Sequence, residues 1–169
     1  MIGGSEGKER RHDTDAVLEQ GYGGEMPGVT FSVPYPGAAA SSNHGYAPIM
    51  RTARDGSVKP GFRMTREARD FKAECVVLAR QAWSNSPWLP GPGDGLKITL
   101  RATFPSRRHA DVGNLAKYMV DAVAEALDSY VDGGRLYNDK AWAVSVEAPA
   151  YRPGCEPEIE VTVEASNDR

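Results

Sequence analysis

Apolar residues recur along this chain in two rhythms, and each rhythm marks a kind of element. Val29, Phe31 and Val33 alternate with Thr30 and Ser32, which predicts a short strand over 28–33 that Pro34 and Pro36 end. From Thr65, a residue suited to capping, Ala68, Phe71, Cys75, Leu78 and Ala82 recur at spacings of three and four. They predict a helix running to about Trp83, with Arg66, Arg69, Lys72 and Arg80 on its outer side. A Pro/Gly turn over 84–95 leads into the clearest strand, 96–104, where Leu, Ile, Leu, Ala and Phe alternate with polar residues. A second helix is predicted from Asp111 to about Leu127, burying Leu115, Tyr118, Met119, Ala122, Val123 and Ala126. Beyond the turn at Asp132, Gly133 and Gly134, Trp142, Val144 and Val146 alternate as one strand and Ile159, Val161 and Val163 as another, with Tyr151 to Pro157 as the connection. Residues 37–63, including the basic run from Arg51 to Arg63, show no convincing period and read as a long loop. This order predicts one α+β domain over 28–165, a small mixed or antiparallel sheet with two packed helices, preceded by a disordered tail over 1–27.

Length and composition agree with that plan. The chain has 169 residues, enough for one ordinary core, and its 18 Gly and 12 Pro demand loops. No run approaches the roughly 18 apolar residues of a membrane span, and Met1 to Lys8 lack a secretory apolar stretch, so a soluble cytoplasmic protein is expected. Cys75 and Cys155 are too few and too separated for a disulfide framework or zinc cluster, and are expected as reduced thiols. The net charge of -3 hides a segregation: residues 51–108 carry twelve basic and five acidic side chains, residues 109–169 five and twelve. Screening acts over about 8 Å at physiological salt, so a polyanion meets the local +7 and not the global sum. A solvated helix face beside a basic loop accounts for the same numbers.

Candidate chemistry concentrates in Phe104 to Asp121. Arg107, Arg108 and His109 precede a helix that is expected to begin with the carboxylate of Asp111. Unpaired N–H groups and the positive dipole end, together with the arginines, make a phosphate site there. Asn114, Lys117 and Asp121 share one polar stripe of that helix, and Lys117 lies about 9 Å along the axis from Asp111, within an arm's reach of a phosphate held at its start. Asp121, about 15 Å along, is too distant to share a metal with Asp111 and fits an intrahelical partner for Lys117. The best-placed second carboxylate is Asp139, before a strand, and magnesium commonly takes one or two carboxylates plus water and phosphate oxygens. An Asp111 that only caps its helix and an Asp139 that only makes a turn fit equally. Phosphate-loop, dinucleotide, zinc-protease and Cys-x-x-Cys motifs are absent, His12, His44 and His109 are scattered, and Trp83, Trp88 and Trp142 suit core anchors.

From about Val29 to Val163 the chain resembles the RusA family of Holliday-junction resolvases. The resemblance rests on Arg107-Arg108-His109-Ala110-Asp111-Val112-Gly113-Asn114-Leu115-Ala116-Lys117, then Asp121-Ala122 and Asn138-Asp139, with Val33-Pro34 and a basic loop upstream. It implies a dimeric endodeoxyribonuclease that uses Mg2+ or Mn2+ on four-way junctions and other branched DNA, of the kind phages and prophages carry. It further implies that Asp111 and Asp139 are metal-binding catalytic carboxylates, Lys117 a catalytic lysine, and Asn114 a motif residue on the DNA side. Arg51, Arg54, Lys59, Arg63, Arg107 and Arg108 are expected to hold DNA phosphates. Two positions depart from the family pattern: Gly113 stands where the second Asp of Asp-x-Asp-Asn is usual, and Asn138 where the first of an Asp pair is usual.

Overall fold

A computed structural model describes residues 27–37, 40, 44–108, 111–131, 137, 140 and 142–166. The main sheet contains β1 (Gly28–Pro34), β4 (Leu96–Phe104), β5 (Ala143–Val146), β6 (Ala150–Tyr151) and β7 (Glu158–Ala165), in the order β1-β7-β4-β5 with β6 also on β4. Antiparallel pairing of β7 with β1 and β4, and parallel pairing of β4 with β5 and β6, make it mixed. The α+β class expected from the alternating patterns is the one observed.

Helix α1 (Arg66–Ser84) and helix α2 (Gly113–Asp128) pack on each other, and α1 also lies against β1. Leu96, Ile98, Leu100, Ala102 and Phe104 of β4 join Ile159, Val161 and Val163 of β7 in the core, because every second strand residue points to the helix side. Lys97, Thr99, Arg101, Glu160, Thr162 and Glu164 line the polar opposite face. There Arg101 Nε donates to Glu147 Oε2 at 2.6 Å, and Glu147 raises the guanidinium pKa. Helix α1 starts as its sequence dictates: Thr65 Oγ1 accepts from Ala68 N at 3.3 Å. Lys72, expected outside, is instead half-buried between the helices, 2.8 Å from Glu125 of α2.

Two expected connections are structured. Tyr151, expected in a connection, forms β6 with Ala150, because β4 runs longer than β5 and leaves backbone at Thr103 and Phe104 to pair. The larger correction concerns 37–63, where β2 (Tyr46–Thr52) and β3 (Val58–Met64) form a separate antiparallel hairpin. Its turn is a tight one: Gly56 N donates to Ala53 O at 3.0 Å and Ala53 N to Ser57 O at 2.8 Å. Gly56 has φ +79°, a left-handed conformation that favours glycine. Asp55 Oδ1 accepts from both Ser57 N at 2.9 Å and Ser57 Oγ at 2.6 Å, bonds that depress the Asp55 pKa. Thr65 N closes the base on Gly45 O at 2.7 Å.

From Ala53–Ser57, hydrogen-bonded pairs alternate down the ribbon through Arg51–Lys59, Ile49–Gly61 and Ala47–Arg63. Pro48 and Pro60 therefore fall in the non-hydrogen-bonded pairs Pro48–Phe62 and Met50–Pro60, where a missing N–H breaks no ladder bond. Tyr46 and Met64, at the root, pack against the core, while Met50 and Phe62 are 68% and 69% exposed. The hairpin is an arm held at its base.

Candidate nucleic-acid interface

The arm gathers the basic residues that its sequence merely listed in order. Opposed residues of an antiparallel pair share a face, so Ala47, Ile49, Arg51, Lys59, Gly61 and Arg63 lie on one side and Tyr46, Pro48, Met50, Thr52, Val58, Pro60, Phe62 and Met64 on the other. The first side carries Arg51, Lys59 and Arg63, with Arg54 in the turn, all exposed. Arg51 lies across Gly61, where an added Cβ would stand 3.3 Å from its Cδ, and its Nη2 donates to Phe62 O at 3.1 Å. A guanidinium held by one backbone bond keeps its remaining donors for a ligand.

The second basic group follows β4. Arg107 and Arg108 are exposed, Arg108 N donating to Ser106 Oγ at 3.4 Å, and the Arg107 guanidinium sits 5.6 Å from the centre of the Tyr151 ring. Asp111 stands just before α2 instead of opening it. Its Oδ1 accepts from Gly113 N at 2.9 Å, its carbonyl from Asn114 N at 3.2 Å, and Val112 O from Leu115 N at 2.9 Å. The first amides of α2 are thus already engaged, a correction to the expectation of free N–H groups. A phosphate placed here would meet arginine side chains and the helix dipole, not free amides. A Cβ on Gly113 would lie 3.2 Å from Asp111 Oδ1, so position 113 borders that carboxylate. Asn114 is half-buried and Lys117 exposed.

The root of the arm, on its apolar side, meets α2. Tyr46, at the root of the arm, stacks on Tyr118 with ring centroids 6.1 Å apart and 29° between planes. Tyr118 lies four residues, about one turn, beyond Asn114. Burial foremost, and then Tyr46 and Asp121, push its hydroxyl pKa up. Neither tyrosine was singled out from sequence for this role, since both look like ordinary core aromatics. The three tryptophans do behave as anchors, with Trp83 and Trp142 buried and Trp88 partly buried.

Asp139 lies outside the described residues, as do His12, His109, Asp132, Asn138 and residues 1–26 of the expected tail. Its described neighbour Tyr137 sits at the other end of α2 from Asp111: Tyr137 N donates to Asp128 Oδ1 at 3.2 Å, and its hydroxyl to Pro90 O at 2.6 Å. Gly113 and Asp128 bound 16 helical residues, a length of about 24 Å. Among the described residues, no group of three or more His, Cys, Asp or Glu side chains is placed to hold a metal ion. Asp111 supplies one exposed carboxylate of the hard-oxygen kind that magnesium takes. No described helix is long and apolar enough to cross a membrane. No family model matches this chain, and no curated protein matches it.

Proposed function

We propose that this chain is a metal-dependent endodeoxyribonuclease acting on four-way junctions and related branched DNA, as its resemblance to the RusA resolvases implies. One observation carries the reading: a hairpin arm with one basic face stacks at its root, through Tyr46, on Tyr118 of α2, the helix whose start carries the Asp111 carboxylate just after Arg107 and Arg108. Two separate cationic segments on one domain suit an extended or branched polyanion better than an acidic peptide.

In this reading Arg51, Arg54, Lys59 and Arg63 hold backbone phosphates along one DNA arm, and Arg107 and Arg108 hold the phosphate to be cut. Lys117 stabilises charge developing on the phosphoryl oxygens. Asp111 and Asp139 would hold the ion. Magnesium, when bound, supplies polarisation of the phosphate and a lowered pKa for an attacking water. A symmetric homodimer, as the resemblance implies, suits a nearly twofold junction.

The test is an immobile four-way junction incubated with protein and Mg2+ or Mn2+, beside chelator and Asp111→Asn controls. Paired symmetric nicks that both controls abolish are expected. Tight junction binding without nicks in either metal would instead select a second reading, a catalytically silent branched-DNA binding protein. That reading is favoured by Gly113, which leaves the start of α2 with a single carboxylate side chain.

A further inference from the structure

The arm is amphipathic across its two faces, and beyond Tyr46 and Met64 its apolar face stands exposed among the described residues. Pro48, Met50, Val58, Pro60 and Phe62 extend the line of Tyr46 and Met64 away from the core, with Met50, Val58 and Phe62 at 68%, 58% and 69% exposure. Pro48, Ile49, Met50, Pro60, Gly61 and Phe62 line a groove of about 360 Å³ on this ribbon. Pro48, Met50, Val58, Pro60 and Phe62 lie in non-hydrogen-bonded pairs, where facing Cα atoms are closest, while Ile49 and Gly61 reach the groove from the other face. We propose that this face is a base-contacting wedge: Phe62 and Met50, stiffened by Pro48 and Pro60, enter the branch point of DNA and stack against bases unpaired there. The inference rests on the reading of the opposite face as a phosphate-binding surface.

Charge decides between occupants. The arm carries Arg51, Arg54, Lys59 and Arg63 against one acid, Asp55, which is already tied to Ser57. A second copy of the arm would offer no untied acidic partner for these cations, whereas a nucleic-acid strand brings phosphates and flat apolar bases together. Phe, Met and Pro are the residue types that separate base steps in proteins that deform DNA. A continuous duplex must be unstacked before such a face can enter, while a branch point already offers ends of stacks. The wedge therefore favours branched over linear DNA without reading sequence, and it adds shape recognition to the uniform grip of the basic face.

The experiment uses the full chain in chelator and a four-way junction with 2-aminopurine at the branch point. Wild-type protein should raise the fluorescence as the base unstacks from its neighbours. Phe62→Ala should lose most of that rise at saturating protein and bind the junction about tenfold more weakly, and Phe62→Trp should restore both. Arg51→Ala and Lys59→Ala should weaken binding yet reach the wild-type fluorescence plateau. An unchanged plateau in Phe62→Ala, or tight wild-type binding with no rise, overturns the wedge while leaving the DNA reading intact. Sedimentation showing that Phe62→Ala changes the number of subunits overturns it in favour of a second copy on this face. Wild-type protein that binds branched and linear DNA equally weakly overturns the DNA reading, and the wedge falls with it.

Discussion

At residue 113 the absence of a side chain is as informative as its neighbours. The backbone amide of Gly113 is bonded to Asp111 Oδ1, and a Cβ would stand 3.2 Å from that same atom, a tight contact that a small shift of the carboxylate relieves. A carboxylate added here lies beside the existing one. Gly113→Asp is therefore expected to tighten Mg2+ or Mn2+ binding in calorimetry and to increase junction cleavage; unchanged metal affinity would place position 113 outside the site. The two thiols differ in a way the sequence left open. Cys75 is buried and its pKa is pushed up to about 12, by burial first and then by the Glu74 charge, while Cys155 is half-buried at the surface. Since the thiolate is the reactive form, a thiol reagent at pH 8 should modify Cys155 in the folded protein and reach Cys75 only on unfolding. Two thiols reacting at one rate under native conditions would contradict the packing of α1. The same shift makes stability decline as pH rises from about 9, where an unfolded thiol ionises, toward 12, where the native one does.

At the scale of elements, the arm shows how a legible pattern can be passed over. Val58, Pro60, Phe62 and Met64 alternate with Lys59, Gly61 and Arg63, and Asp55-Gly56 is a strong hairpin-turn signal. Pro48, Pro60 and Gly61 count against strands, so the segment reads as loop until the register shows both prolines at positions that need no N–H. Helix α1, by contrast, follows from its own residues: Thr65 caps it, and Ala68, Phe71 and Cys75 are buried as the spacing required. Thr65 also joins helix and arm, because its N–H closes the hairpin on Gly45 O while its Oγ1 caps α1. Thr65→Ala keeps the first bond and loses the second. It should cost about 1 kcal/mol, read as a fall in Tm of roughly 2–4 °C for a domain of this size. No change in Tm would mean that water replaces the cap without loss.

For the whole molecule, the distribution of charge matters more than its sum. The basic residues of the arm and of the start of α2 lie on exposed surface, while Glu147, Glu160 and Glu164 pair with Arg101 and Lys97 on the polar face of the sheet. A net charge of -3 thus leaves cationic surface open to a polyanion, and this reading of the arm as DNA-binding has a direct test. Junction affinity should fall steeply with salt, and replacing Arg51, Lys59 or Arg63 singly by Ala should reduce the slope of log affinity against log salt by about 0.9 each. Substitution of Lys97, on the opposite face, should leave the slope unchanged. A slope that responds equally to all four would mean that bulk charge, and not the arm, governs binding.

Local order along the chain was enough to determine the strands β1, β4 and β7, both helices and most of their buried faces. Burial periodicity is written into neighbouring residues and survives without knowledge of partners. The basic residues, Asp111 and Gly113 were equally visible, and so was the amphipathy of the arm once its register was known. Tertiary packing decided the rest. It placed Tyr46 on Tyr118, so that the arm stands beside α2, and it anchored Tyr137 at the far end of that helix from Asp111. Both depend on contacts between residues far apart in the chain, whose meeting is governed by how helices and sheet share one core and leaves no mark in local spacing.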